Sequence, residues 1–321
     1  MDDQLFELFL PLTEEEKFIL QGVEIKRDLY TNQPNFIIES EKFLTNGDTI
    51  MLRKHTRFID FPRHRHNYIE VNYVFSGSLK QKVGEDEIFL KKGELLFLNQ
   101  HIDHEIKACG KEDIVINFII EPKFFEFIFT YLSNNNLMSN FIIDSLYNHT
   151  QKGQYLYYQV SEVKSIQELV KKMMYEMTEK SYLSESSMKL YMGLVMIELI
   201  KHSDKLKNSK IDTYQQSLIA EVLKCIDEQY RTITLYELAE SLKQPHYSLS
   251  KQIKKATGST FKELLQEKRL SIAKNLLEGS AMPVAEIAEF IGYDNVSYFY
   301  RIFRSKYGYT PKKIREQLAS K

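Results

Sequence analysis

Hydrophobic residues recur with helical spacing at two places in the last third of the chain. Leu235, Leu238, Ala239 and Leu242 lie at i, i+3, i+4 and i+7, and Val284, Ile287, Ala288 and Ile291 repeat the series. Such spacing lays one apolar stripe along a helix. The copies are offset by 49 residues and then, after one extra residue in the turn, by 50, so that Leu249 matches Phe299, Lys251 Arg301, Ile253 Phe303, Lys254 Arg304, Gly258 Gly308 and Thr260 Thr310. A register kept over so many positions is an internal duplication. Each copy reads as a short helix, a tight turn and a second helix, at about 234–256 and 283–306. Between them Leu264, Leu265, Ile272, Ala273, Leu276 and Leu277 predict one helix over Phe261 to Glu278, long enough to hold the units rigidly.

The N-terminal two thirds has another texture. Thr13 and Glu16 form the S/T-x-x-E capping pattern of a short helix, within a lead-in over 1–48. From Thr49 to Ile120 the pattern predicts strands near Ile50–Ile59, Tyr68–Phe75, Leu79–Val83, Glu87–Leu90, Glu94–Leu98 and Ile114–Ile120, broken at Gly77, Gly84, Gly93 and Gly110. Short strands at this spacing imply a barrel or sandwich, assigned to 49–150. Helical periodicity returns at Lys123–Leu132, Ser161–Glu179 and Ser187–His202. The last is apolar on more than one face, which suggests a helix packed against a second copy of the chain, so 151–204 is read as a helical dimerisation segment. A helix buried between the barrel and the C-terminal domain leaves the same stripe. Lys205 to Thr213 is polar and aperiodic and reads as a linker, with the C-terminal domain over 214–321.

Composition narrows the class. With 43% hydrophobic and 27% charged residues among 321, the chain is globular and long enough for two or three domains. The acidic start MDDQLFELFL lacks the basic flank of a secretory signal, and no run approaches a membrane span, so the cytoplasm is expected and no membrane partner. Cys109 and Cys225 fall in different domains and read as isolated thiols. A net charge of −1 conceals an asymmetry: residues 214–321 carry 17 basic against 12 acidic groups. The cations cluster on the second helices, Lys251 with Lys254 and Lys255, and Arg301 with Arg304, where they can meet phosphate.

These units resemble the DNA-binding domain of the AraC/XylS family of bacterial transcription regulators. The match covers about a hundred residues and is closest in IAEFIGYDNVSYFYRIFRSKYGYTPKKIR. The first unit departs from the pattern at Lys243, where a turn glycine is usual, at Pro245, where a capping Ser is usual, and at Ile253, where Phe is common. The resemblance implies base contacts from Tyr247, Ser250 and Lys251 in the first unit and from Val296, Ser297, Tyr300 and Arg301 in the second. Lys254, Lys255, Arg304, Lys306 and Lys312 are expected on phosphates. Leu249, Ile253, Phe299 and Phe303 are expected in the core.

In the β-rich region His64, His66 and Glu70, followed by Gly77, Gly93 and His104, resemble the two motifs of the cupin barrel. The three share parity, so a continuous strand would turn them to one side, with His104 joining from a later strand. The second motif is altered, with Asn99, His101 and Ala108 in place of Pro, Gly and Asn. Regulators of this class mostly use the barrel as a sensor, so these four residues are expected to line an effector pocket, with no metal and no cofactor.

The expected architecture is thus a multidomain α+β chain. A cupin-like β-barrel (double-stranded β-helix) with a helical dimerisation segment precedes an all-α domain of two helix-turn-helix units joined by a long helix. The expected function is sequence-specific, metabolite-responsive transcription regulation, the effector being a sugar or related compound and the reader no enzyme. Partners are double-stranded DNA, a small-molecule effector, a second copy of the chain and, for an activator, RNA polymerase. The alternatives are a metal-dependent cupin enzyme with a DNA-binding tail and a ligand-independent architectural DNA binder.

Overall fold

The computed structural model of the chain describes residues 2–44, 48–125, 128, 136–147, 153–178, 181, 183–210 and 213–319. It divides into two compact units, Met1–Thr213 and Tyr214–Lys321.

The first unit contains eleven described strands: β1 (Ile37–Ile38), β2 (Ile50–Lys54), β3 (Phe61–His66), β4 (Ile69–Ser76), β5 (Ser78–Val83), β6 (Asp86–Lys91), β7 (Leu95–Leu98), β8 (His104–Ile106), β9 (Ile114–Ile120), β10 (Tyr155–Tyr158) and β11 (Leu206–Lys210). They form a five-stranded sheet in the order β1-β3-β8-β5-β6 and a six-stranded sheet in the order β11-β10-β7-β4-β9-β2. Alternation along each strand divides the side chains between two cores. On β4, Val71, Tyr73 and Phe75 join one apolar cluster while Val74 joins the other. On β9, Ile116 and Phe118 face the first cluster, and Val115 and Ile119 the second.

Helices α1 (Asp2–Phe9) and α2 (Glu14–Leu20) come first, and α3 (Leu137–Tyr147), α4 (Lys164–Thr178) and α5 (Ser184–Lys201) come after β9, with β10 between α3 and α4 and β11 after α5. Leu5, Met173, Met174, Met188, Met192 and Met196 pack on the outer face of the six-stranded sheet. Covering that face explains why β4, β7 and β9 read as continuous apolar runs and not as alternating ones.

The expected capping box at Thr13 and Glu16 is formed, and it has a second purpose. Glu16 is buried and accepts from Arg57 Nε and Nη2 at 2.7 and 2.9 Å and from Lys54 Nζ at 3.1 Å. Burial alone would raise this carboxyl, but the hydrogen bonds from Arg57, Thr13 and Lys54 outweigh it and hold it down at about 2. Breaking such a buried pair from one side costs about 3–5 kcal/mol. The lead-in is therefore fastened to the barrel.

Four expectations change. β2 ends at Lys54, not Ile59, and His55–Asp60 is irregular, with Phe58 at φ 70°. His64 and Glu70 do not share one strand, because the chain turns at Asn67 and Tyr68 into the other sheet. The stretch read as a linker contains β11, which pairs antiparallel with β10, itself paired with β7. The barrel sheet thus extends beyond residue 150, and short polar strands at a sheet edge carry no apolar periodicity to announce them. The helix expected over Lys123–Leu132 begins as a 3-10 turn at Pro122–Phe125; residues 126, 127 and 129–132 lie outside the described ones.

The second unit is helical: α6 (Thr213–Gln229), α7 (Leu235–Ser241), α8 (His246–Thr257), α9 (Phe261–Gly279), α10 (Val284–Phe290), α11 (Val296–Tyr307) and α12 (Pro311–Ala319). Thr234 and Thr260 start α7 and α9 with capping boxes closed by Glu237 and Glu263. Gly258 and Gly308, matched in the repeat, both end their helices at positive φ, 70° and 81°, a conformation favourable to glycine. Cys109 and Cys225 are free thiols.

Candidate nucleic-acid interface and barrel site

The helix pairs α7–α8 and α10–α11 each bury the stripe expected from the repeat. Leu249, Ile253, Phe299 and Phe303 are fully buried, and Phe303 meets Phe299 and Tyr307 at ring separations of 5.5 and 4.7 Å. The opposite sides of α8 and α11 are left to solvent. Tyr247 is 72% exposed, Lys251, Lys254 and Lys255 are exposed, and Ser250 is half-buried. On α11, Ser297, Arg301, Arg304 and Lys306 are exposed, as is Lys312 on α12. Val296 and Tyr300 are half-buried and lean on the core of the second unit, so each shows only an edge. The Arg301 guanidinium lies over the Tyr298 ring at 5.2 Å. Two phosphate candidates already have carboxylate partners: Lys254 pairs with Glu263 at 3.5 Å, and Lys306 with Glu267. Exposed pairs of this kind are weak and exchange readily for another anion.

Inside the barrel the structure brings together all four expected residues. His64 on β3 is the register partner of His104 on β8. His66 and His104 approach through their Nε2 atoms at 3.2 Å. Glu70 arrives from β4, its oxygens 3.7 Å from His66 Nε2 and 3.8 Å from His104 Nε2. All four are buried. Burial pushes the histidines down, His64 to about 4 and His66 and His104 well below their ordinary value, so all three are neutral near pH 7. Burial likewise raises Glu70 to about 7, against the hydrogen bonds from Asn72 and Asn117.

A cupin barrel implies a metal, and the donor set here fits one. Ligand atoms of His64, His66 and His104 lie within 4.8 Å of one another, all are neutral nitrogens, and the Glu70 carboxyl lies beside two of them. The space beside the cluster, lined by Tyr30, Arg53, His55, His64, Tyr68 and Glu70 among others, amounts to about 20 Å³, room for one water or ion.

A helix-turn-helix domain family matches residues 238–317, and a cupin domain family residues 43–120. The HTH-type transcriptional activator RhaS of Escherichia coli O1:K1 is 22% identical over 285 residues, 87% of this chain and 97% of RhaS. The chain thus carries an AraC-type helix-turn-helix domain and a cupin domain, and it is similar to transcription regulators of the AraC family. The xylose operon regulatory protein of Haemophilus influenzae is 30% identical over 83 residues, which are 26% of this regulator and 21% of that protein. The crystal structure of ToxT from Vibrio cholerae O395, 16% identical, covers 84% of this chain and 97% of its own with a TM-score of 0.33. No described helix of the regulator is long and apolar enough to cross a membrane.

Several residues of both sites escape pattern reading. Asn72 and Asn117, register partners on β4 and β9, donate to the two oxygens of Glu70 at 2.9 and 3.1 Å. Their signal was a polar residue inside an apolar strand, IEVNYVF and IVINFII. Gln81, on β5, contacts His104 and had no such mark among its polar neighbours. In the reader, Arg269 on α9 donates to the carbonyls of Tyr230, Arg231 and Gly292 at 2.7, 2.7 and 2.8 Å. It ties the end of α6 to the turn of the second helix pair, and nothing in its local sequence reports that.

Proposed function

We propose that this regulator binds one asymmetric DNA site per protomer with both helix-turn-helix units and is gated by a small molecule held in its first unit. The observation carrying the DNA reading is the sidedness of α8 and α11: aliphatic and aromatic residues inward, hydroxyls and cations outward. Tyr247, Ser250, Lys251, Val296, Ser297, Tyr300 and Arg301 then face base edges, and Lys254, Lys255, Arg304, Lys306 and Lys312 face phosphates. The 19 residues of α9 span about 28 Å at 1.5 Å each. With the width of the helix pairs, that is compatible with successive major grooves about 34 Å apart.

The effector reading draws on volume. A monosaccharide needs a pocket near the lower end of the usual range of about 300 Å³, which the space beside His64 lacks. A cavity of about 280 Å³ lined by Leu137, Met138, Asn140, Tyr158, Ile200, Ser203 and Leu206 is of the right size. It borders β11, a few residues before the second unit begins. Self-association is supported by α5, which leaves Leu190 64% exposed, one turn from the exposed Leu194. Apolar side chains so placed suit a helix–helix contact between two copies. The sugar class follows the xylose operon regulatory protein among the relatives, and those relatives, being transcription regulators, give the enzyme alternative no support.

The test is footprinting with the full chain, with and without a panel of pentoses and hexoses. Protection of a non-palindromic stretch of about two helical turns per protomer, altered by one sugar, is the expected result. Protection of a single turn would remove the first unit from the DNA, and insensitivity to every sugar would remove that effector class.

A further inference from the structure

Two helices of the second unit end at the same place. α6 ends at Gln229 and α10 at Phe290. Carbonyls at and just beyond the C-terminus of a helix lack an intrahelical donor and carry the negative end of its dipole, so two such ends brought together repel. Here two guanidinium groups stand between them. Arg269, in the middle of α9, donates from Nε to the Tyr230 carbonyl at 2.7 Å, from Nη2 to the Arg231 carbonyl at 2.7 Å and from Nη1 to the Gly292 carbonyl at 2.8 Å. Arg231 reaches the opposite way, donating from Nε to the Phe290 carbonyl at 2.6 Å with its guanidinium 3.6 Å from the centre of the Phe290 ring. Lys268 adds an ion pair to Asp227 in the last turn of α6.

The placement of this joint matters more than its strength. From the first helix pair to the second the chain runs through α9 alone, which it enters after Gly258 at φ 70°. A single connection is a pivot. The Arg269 bonds make a second connection, because Arg231 lies three residues before Thr234, the cap of α7, while Gly292 is the turn of the second pair. The first pair is then held to α9 at both of its ends. Three bonds from three nitrogens of one plane are a geometry that the guanidinium supplies and the single donor atom of a lysine does not. All three nitrogens donate to backbone carbonyls, so Arg269 acts through the helices and not on a base.

We propose that Arg269 is a positioning residue for DNA reading: through the Tyr230, Arg231 and Gly292 carbonyls it fixes the distance and rotation between the recognition helices α8 and α11, so that both reach their half-sites at one spacing only. This rests on the reading that both helix pairs bind one site. Two readers held rigidly at the right separation bind as one bivalent unit, and loosening the link lowers the effective concentration of the second reader once the first is bound.

The probes are a duplex selected from randomised DNA by the full-length parent protein, the same duplex with one base pair inserted between its half-sites, and duplexes with either half-site scrambled. One inserted pair moves a half-site by about 3.4 Å and rotates it by about 35°. The parent should lose about 10–100-fold in affinity on that insertion. Arg269→Met should bind the intact duplex about tenfold more weakly, lose no more than about threefold further on insertion, and match the parent on each scrambled duplex. Arg269→Lys, which keeps the cation without the fork, should fall between them. A folded Arg269→Met that weakens binding to every duplex by one factor and keeps the parent's insertion penalty overturns the positioning role and leaves the two-pair reading standing. A parent indifferent to the insertion overturns that reading and the positioning role with it. If circular dichroism shows Arg269→Met unfolded, Arg269→Lys carries the same comparison; if neither folds, Arg269 is a stability residue and the positioning role fails.

Discussion

The two helix-turn-helix units build one shape from different local chemistry. In the first, the turn residue is Lys243 at φ 51°; in the second it is Gly292 at φ 90°. A Cβ added to Gly292 would lie 2.3 Å from the Arg231 carbonyl oxygen and 2.9 Å from Arg269 Nη2, whereas Lys243 is exposed to solvent. Glycine is thus required at 292 by both conformation and space, whereas at 243 only the conformation favours it and an exposed lysine is accommodated. The caps are exchanged too. The first unit caps its leading helix with the Thr234 side chain and starts α8 after Pro245 without one. The second starts α10 after Pro283 without a side-chain cap and caps α11 with Asn295. What both copies keep is the buried stripe and the left-handed turn, and these are what the fold requires.

The largest expected effect probes the stripe. Phe303→Ala should cost about 3–5 kcal/mol and Ile253→Ala about 2–5 kcal/mol in denaturant unfolding of the full chain. If one were tolerated with less than about 1 kcal/mol, the copies would not be equivalent in packing. Next comes the turn: Gly292→Ala should destabilise by more than about 2 kcal/mol, while Lys243→Ala stays near neutral. Equal costs would show that the close approach of Arg231 and Arg269 does not constrain the second turn.

The recognition helices differ in their matched cation. Arg301→Ala should lose about 1–3 kcal/mol at a single base pair, because a guanidinium can grip a guanine edge with two hydrogen bonds. Lys251→Ala, losing a point charge, should fall at the lower end of that range. Binding selections on randomised DNA would read both, and a uniform loss across sequences for Arg301→Ala would make it a phosphate clamp. The smallest effect is Lys243→Gly, which relieves a left-handed lysine and should stabilise by no more than about 1 kcal/mol. Destabilisation there would mean that the lysine side chain contributes contacts of its own.

The reader was legible in the sequence to within a few residues, whereas the capping boxes at Thr234 and Thr260 came with the structure. The barrel was legible as a region, and His64, His66, Glu70 and His104 were found by spacing although the assumed continuous strand does not exist. They meet because β3 and β4 face one interior from two sheets. The edge strand β11 was missed, since a polar strand paired on its backbone alone leaves no side-chain pattern.

By itself the sequence determined the duplicated helix pairs, because helical stripes, caps and turn glycines depend on residues three to seven apart. Only the tertiary structure decided which buried polar groups meet. Asn72 reaches Asn117 and Glu70, Gln81 orients His104, Glu16 closes on Arg57, and Arg269 gathers the Tyr230, Arg231 and Gly292 carbonyls. Most of these partners are tens of residues apart. Sheet closure and helix packing bring them together, and a buried polar group must find its partner wherever the fold supplies one.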